Sequence, residues 1–223
     1  MKSPKIRNPD KENLIVNYEE LIDGFNECFE FYKTTQHEKD YLLRSAQKID
    51  EYFKQYALKE NIRHIIIGEA PLFGAEESYI YNPSSRPTSF LRPSDFPNTS
   101  PPNPKDAKKI FLKKLQEYRI LILDCYPLAI NTQNETPSLD WGKISKTHQE
   151  VLNKSFNNFC FKKIKKINKN KNVNIIFRYK RNYLQHFNFL SSKIEQNIIS
   201  GKIYSIHKQI FCDKNKFNEI LIK

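Results

Sequence analysis

The chain has 223 residues, 39% of them hydrophobic and 13% aromatic, enough apolar material for one α/β domain and too much for a disordered chain. Its 37 Lys and Arg against 25 Asp and Glu give a formal net charge of +12, which suits a polyanion such as nucleic acid, although a chain this rich in Lys, Asn and Ile also follows from an AT-rich gene. Cys28, Cys125, Cys160 and Cys212 are far apart with no CxxC pair, which argues against a zinc cluster and a disulfide framework and for reduced thiols.

The first residues, "MKSPKIRNPDKEN", are polar, and no apolar run approaches the ~18 residues that a membrane span needs. A soluble, cytoplasmic, monomeric protein is expected. Leu14, Tyr18, Leu21, Ile22, Phe25, Phe29 and Tyr32 recur at helical spacing, and Tyr41, Leu42, Ala46, Ile49, Tyr52, Phe53 and Ala57 repeat the pattern. Two helices therefore lead in. "RHIIIG" then reads as a central strand, apolar on both faces.

Residues 69–104 hold eight of the twelve prolines. So long an irregular segment inside a domain is functional or disordered, and its Tyr and Phe residues favour an ordered, functional one. "PKDAKKIFLKKLQEY" follows as a helix and "RILILDCYPLAIN" as a second buried strand. A proline-bearing loop leads to "SKTHQEVLNKSFNNFCFKKIKKI", a long helix with a basic end. "NVNIIFRY" is a third strand, "RNYLQHFNFLSSKIEQNII" a helix and "KIYSI" a short fourth strand. Alternating strands and helices imply a three-layer α/β/α sandwich around a short, mostly parallel four-stranded sheet. One domain over residues 1–223 is expected, with residues 1–60 as a helical extension packed on it.

Open parallel sheets bind ligands outside the carboxyl ends of their strands. That brings together Gly68, Glu69, Ala70 and Pro71 after the first strand, Asp124, Cys125 and Tyr126 after the second, Arg178 and Tyr179 after the third, and Ser205, Ile206 and His207 after the fourth. His64 falls at the opposite end, and His37, His148 and His186 sit in helical patterns; none of the four is expected in the chemistry.

"GEAP" at 68–71, closing an isoleucine-rich strand and followed by the aromatic-bearing "LFGAEESYIY", resembles the first motif of the uracil-DNA glycosylase superfamily. "LILD" at 121–124 looks like that superfamily's strand ending in a base-reading Asn, and "IHKQIFCDKNKFNEIL" from Ile206 is similar to its second, His-initiated motif. The resemblance covers residues 62 to 223. It implies an α/β/α fold and a hydrolase that excises a flipped-out damaged or unusual base in base excision repair, with no metal or cofactor. Two positions depart from the pattern: Asp124 replaces Asn, and Lys208 and Gln209 replace the Pro and Ser after the histidine. An ionised Asp124 accepts from N–H groups instead of donating to a carbonyl, which points away from uracil itself.

The residues suit that chemistry. Breaking an N-glycosidic bond needs an extruded base, a positioned water and charge stabilisation on both fragments. A carboxylate at Glu69 would orient water and offset an oxocarbenium-like sugar, and His207 would donate to the departing base. Gly68, Ala70, Pro71, Tyr79, Tyr81 and Asp124 are the expected substrate-binding set, with Tyr81 as the stacking floor. Ser84, Ser85, Arg86, Thr88, Arg178, Lys180, Arg181 and Lys208 are the expected DNA contacts. The run "FKKIKKINKNKN" at 161–172 reads as a solvated helix end favoured by the helix dipole. Two other readings fit the same residues: a non-enzymatic member of the fold that binds DNA or a nucleotide, and a small-metabolite enzyme whose charge is compositional.

Overall fold

A computed structural model describes residues 61–69, 80–81, 106–126, 146–168 and 172–205, together with Asp40, Leu43, Arg44, Gln47, Lys48 and Glu51. Strand β1 (His64–Ile67), helix α1 (Ala107–Glu117), strand β2 (Ile120–Leu123), helix α2 (Lys146–Phe156), a π-helical turn (Asn157–Phe161), helix α3 (Lys162–Asn168), strand β3 (Asn174–Phe177), helix α4 (Lys180–Glu195) and strand β4 (Ile203–Ser205) follow in order. The first expected N-terminal helix lies outside the described residues. In the second, the six described residues from Asp40 to Glu51 are helical, and Leu43 packs against the core.

The four strands form one sheet in the order β2-β1-β3-β4, and every pairing is parallel. The runs HIII, in the interior of the sheet, and ILIL, at its end, are buried at every position, as expected of β-branched and leucine-rich parallel strands. Ile66 faces Ile122 on one side and Ile176 on the other, so three apolar runs stack in register across the sheet. The chain leaves β1 in one direction to form β2, then crosses back to form β3. The order reverses between β1 and β3, and that is the point where open α/β sheets leave a crevice at their carboxyl ends.

Leu152, Phe156, Cys160, Ile164 and Asn168 are all buried and recur every four residues. In a regular helix that spacing drifts by about 40° per step, or about 160° over the four steps. The π turn at 157–161 inserts an extra residue and keeps the row facing inward. At its end the Asn168 carboxamide bonds both backbone groups of Ser200, accepting from the N–H at 2.7 Å and donating to the carbonyl at 2.6 Å. Gly201 follows at φ 125°, with the Val173 carbonyl against the space a side chain would need. Helices α2 and α4 pack together where the Phe156 ring stacks on His186, centroids 3.9 Å apart.

The solvated-helix expectation for 161–172 is corrected at one residue. Lys162, Lys165 and Lys166 are exposed, but Lys163 is 2% exposed, with its ammonium 3.7 Å from the Phe159 ring centroid. Lys163 lies four residues after buried Phe159, alongside the inward row, so helical register outweighs composition there. Among the described residues, no helix is long and apolar enough to cross a membrane.

Candidate functional site

The exit of β1 is held on both sides. Towards β2, the Gly68 N–H donates to the Leu123 carbonyl at 2.7 Å, and the Tyr126 N–H donates to the Glu69 carbonyl at 3.0 Å. Towards β3, the Arg178 N–H donates to the Ile67 carbonyl at 2.9 Å, and Asn182 Nδ2 reaches the Gly68 carbonyl at 3.4 Å. The Glu69 side chain then forms an ion pair with Arg181 in the first turn of α4. Three consecutive residues, 67 to 69, are thus fastened to the turn that begins α4. Glu69 sits at the reversal point of the sheet with its carboxylate in a defined direction.

The side chains of this pair are 17% and 32% exposed, so the charges are partly desolvated. Asp124 follows β2 immediately and is half-buried. Burial raises its carboxyl to about 7; the Lys163 ammonium opposes the rise and the Glu69 charge adds to it. Two carboxyl groups from adjacent strand ends therefore sense each other, one ion-paired and the other retaining its proton up to neutrality.

Behind them the wall is fully buried. Cys125 and Cys160 are fully buried free thiols. Burial drives the Cys125 thiol well above its ordinary value, helped by Cys160, Asp124 and Glu69, which keeps it an unreactive S–H. The Tyr126 hydroxyl is hydrogen-bonded to His186 Nε2 at 3.1 Å, and burial lowers that imidazole to about 3, so it is neutral in the core. His64, at the other end of β1, is held down to about 4 by burial and by Arg63.

At the exit of β3, Arg178 and Arg181 both approach Tyr179, their guanidinium carbons 5.6 and 5.5 Å from its ring centroid. Lys180 is exposed beside them. No acidic residue occupies the first turn of α4 and no side chain caps it. The exit of β3 is therefore strongly basic, with Glu69 as the anion against it.

Of the residues expected from sequence, Gly68, Glu69, Asp124, Arg178, Lys180 and Arg181 come to the carboxyl ends of β1, β2 and β3. Tyr81 is 3% exposed and part of the core cluster, and its hydroxyl bonds both the carbonyl and the N–H of Ile122. That commitment to the sheet edge takes its ring out of the open cleft expected for a stacking floor. Ala70, Pro71, Tyr79, Ser84, Ser85, Arg86, Thr88, His207 and Lys208 lie outside the described residues. Sequence reasoning missed Asn182, Lys163 and the partner of Arg181. For Lys163 the signal was its place four residues after the apolar Phe159, beside the inward row. For Asn182 there was a similar signal, four residues before buried His186 on one face of α4.

Among the described residues, no group of three or more His, Cys, Asp or Glu side chains is gathered as a metal site. No family model, curated protein or solved structure matches the chain.

Proposed function

We propose that the chain hydrolyses the N-glycosidic bond of a damaged or unusual base held out of the DNA stack. One observation carries this reading: Glu69, clamped from both neighbouring strand ends, stands beside an Asp124 that keeps its proton to about 7. Pairs of carboxyl groups with different protonation are what acid–base cleavage of a glycosidic bond requires.

In this mechanism the C1′–N bond breaks with its electron pair going to the base. Glu69 offsets the positive charge that develops on the sugar and orients a water towards C1′. The water oxygen forms the new C1′–O bond and its proton passes to the carboxylate. Asp124 in its protonated form donates a hydrogen bond to a base carbonyl, countering the negative charge on the leaving base. His207 is assigned the second donor to the base on the strength of the sequence resemblance alone. Arg178 and Lys180 take backbone phosphates, in keeping with a net charge of +12.

A gel assay on oligonucleotides carrying uracil, hypoxanthine or other lesions tests the proposal. Release of a base by the wild-type chain, reduced at least about 100-fold in Glu69→Gln, is the expected result. Carbonyl-bearing bases should be released more slowly as pH rises through 7 and Asp124 ionises. No release above a Glu69→Ala control sinks the enzymatic reading.

A second reading, a DNA-binding member without hydrolysis, is favoured by the Glu69–Arg181 ion pair, which already engages the carboxylate. It calls for salt-sensitive DNA binding that survives Glu69→Ala.

A further inference from the structure

We infer that Arg181 is a positioning residue for Glu69, fixing the direction and charge of that carboxylate, and not a DNA-phosphate contact. The inference rests on the hydrolytic reading for its effect on rate, but its physical content is independent of that reading.

Three observations converge on it. First, Arg181 lies in the first turn of a 16-residue helix, where the dipole disfavours a cation and no acidic neighbour or side-chain cap relieves it. The first turn of the helix offers the guanidinium no carboxylate of its own. The ion pair with Glu69, 112 residues away in sequence, supplies one. Second, the guanidinium also contacts the Tyr179 ring, 5.5 Å from its centroid. Engaged by both a ring and a carboxylate, it lacks the freedom of an exposed phosphate-seeking side chain such as Lys180. Third, Asn182 and Arg178 from the same turn bond the carbonyls of Gly68 and Ile67. Arg181 is the side-chain member of a continuous fastening of β1 to α4.

The electrostatic surroundings say what its loss would do. Among the described residues, the titratable groups coupled to Glu69 include Arg181 from α4 and Asp124, Cys125 and Tyr126 from the exit of β2. Lys163 and Cys160 act one step further, on Asp124 and its neighbour. Cys125 and Tyr126 are neutral and Lys163 acts on Asp124, so Arg181 is the cation paired with Glu69. Without it, Glu69 becomes harder to ionise next to Asp124.

The test uses the full chain with Arg181→Met, Arg181→Gln and Arg181→Lys, and exposed Lys166→Met as a charge control. Carboxylate ¹³C NMR should show the Glu69 titration midpoint rising by about one pH unit or more in the two neutral variants. Arg181→Lys should restore most of that shift, and Lys166→Met should leave it unmoved. In base release, the acid limb of the pH–rate profile should move up with the midpoint in the neutral variants. Their kcat should fall about 10- to 100-fold with KM changed less than about threefold. Arg181→Lys should recover the pH limb but not the full rate, because an ammonium lacks the planar fork.

A midpoint unmoved in both neutral variants overturns the inference, as does a raised KM and flattened salt dependence with kcat intact, the signature of a lost phosphate contact. Should the wild type release no base at all, the hydrolytic reading fails, while the NMR titration still decides the role of Arg181. The two neutral variants differ in shape, so misfolding of one leaves the other to decide.

Discussion

The hydroxyl of Tyr81 bonds both backbone polar groups of Ile122, accepting from its N–H and donating to its carbonyl at 3.1 Å. Along an extended strand, one residue's N–H and C=O point to the same side and alternate from residue to residue. The Leu123 carbonyl points to β1, where it accepts from Gly68, so the Ile122 pair faces outward from the edge strand. Among the described residues β2 has no strand on that side, and a phenol covers the edge there.

Tyr81→Phe keeps the ring and removes this pairing. It should destabilise the protein by about 1–3 kcal/mol, since two buried backbone groups lose their partner. Chemical denaturation measures the loss, and hydrogen exchange should locate it at the Ile122 amide. If the ring instead served as a base-stacking floor, Tyr81→Phe would leave stability unchanged.

Asp124 makes a distinct prediction for stability against pH. Its folded carboxyl titrates at about 7, far above an ordinary Asp at 3.8, mainly because of burial. Its contribution is therefore fully present below about pH 4 and is lost as pH rises to about 7. His64 and His186, lowered to about 4 and about 3, run the other way, losing stability as pH falls below 6.5. Asp124→Asn removes only the first slope. It should raise stability at pH 8 by about 2–4 kcal/mol and change it little at pH 4, as measured by urea titration. Equal effects at both pH values would refute the assignment.

Gly201 sits at φ 125°, and a Cβ there would lie 1.9 Å from the Val173 carbonyl oxygen. That oxygen belongs to the backbone leading into β3, so it has no flexible tip that could move aside. Gly201→Ala should cost about 3–5 kcal/mol and weaken the β3–β4 pairing. Arg119 and Asn197, at φ 56° and 55° after α1 and α4, are different. Theirs is the left-handed helix-end conformation, so Arg119→Gly should be neutral or stabilising by up to about 1 kcal/mol. Thermal unfolding of the two variants should separate in opposite directions.

The sheet and its helices were legible because apolar period and run length are local signals. HIII, ILIL and NIIF read as buried strands, and the three helical stretches appear close to their expected limits. The strand order was not legible, because alternation of strand and helix says that strands are parallel but not which lie side by side. For the same reason Glu69 was found at a strand exit while its partner, 112 residues on, was read as a DNA contact. Tyr81 was misjudged because an aromatic residue in a loop looks alike whether it stacks on a ligand or closes a sheet edge. The π turn has no residue type of its own; only the four-residue spacing from Leu152 to Asn168 reveals it.

Lys163 and Asp124 offer the sharpest test of the site's electrostatics. The Lys163 ammonium is buried and is the charge that keeps the Asp124 carboxyl from titrating still higher. It can act on Asp124 only when that carboxyl is ionised. A double-mutant cycle of Lys163→Met and Asp124→Asn should therefore show almost no coupling at pH 5. At pH 8, with Asp124 ionised, coupling of about 1–3 kcal/mol is expected, because each single change removes one charge of a desolvated pair. Lys163→Met alone should also raise the Asp124 midpoint above 7, carrying the loss of stability to higher pH. Coupling of equal size at both pH values would mean that the two side chains interact through packing around Phe159 and Cys160 and not through charge.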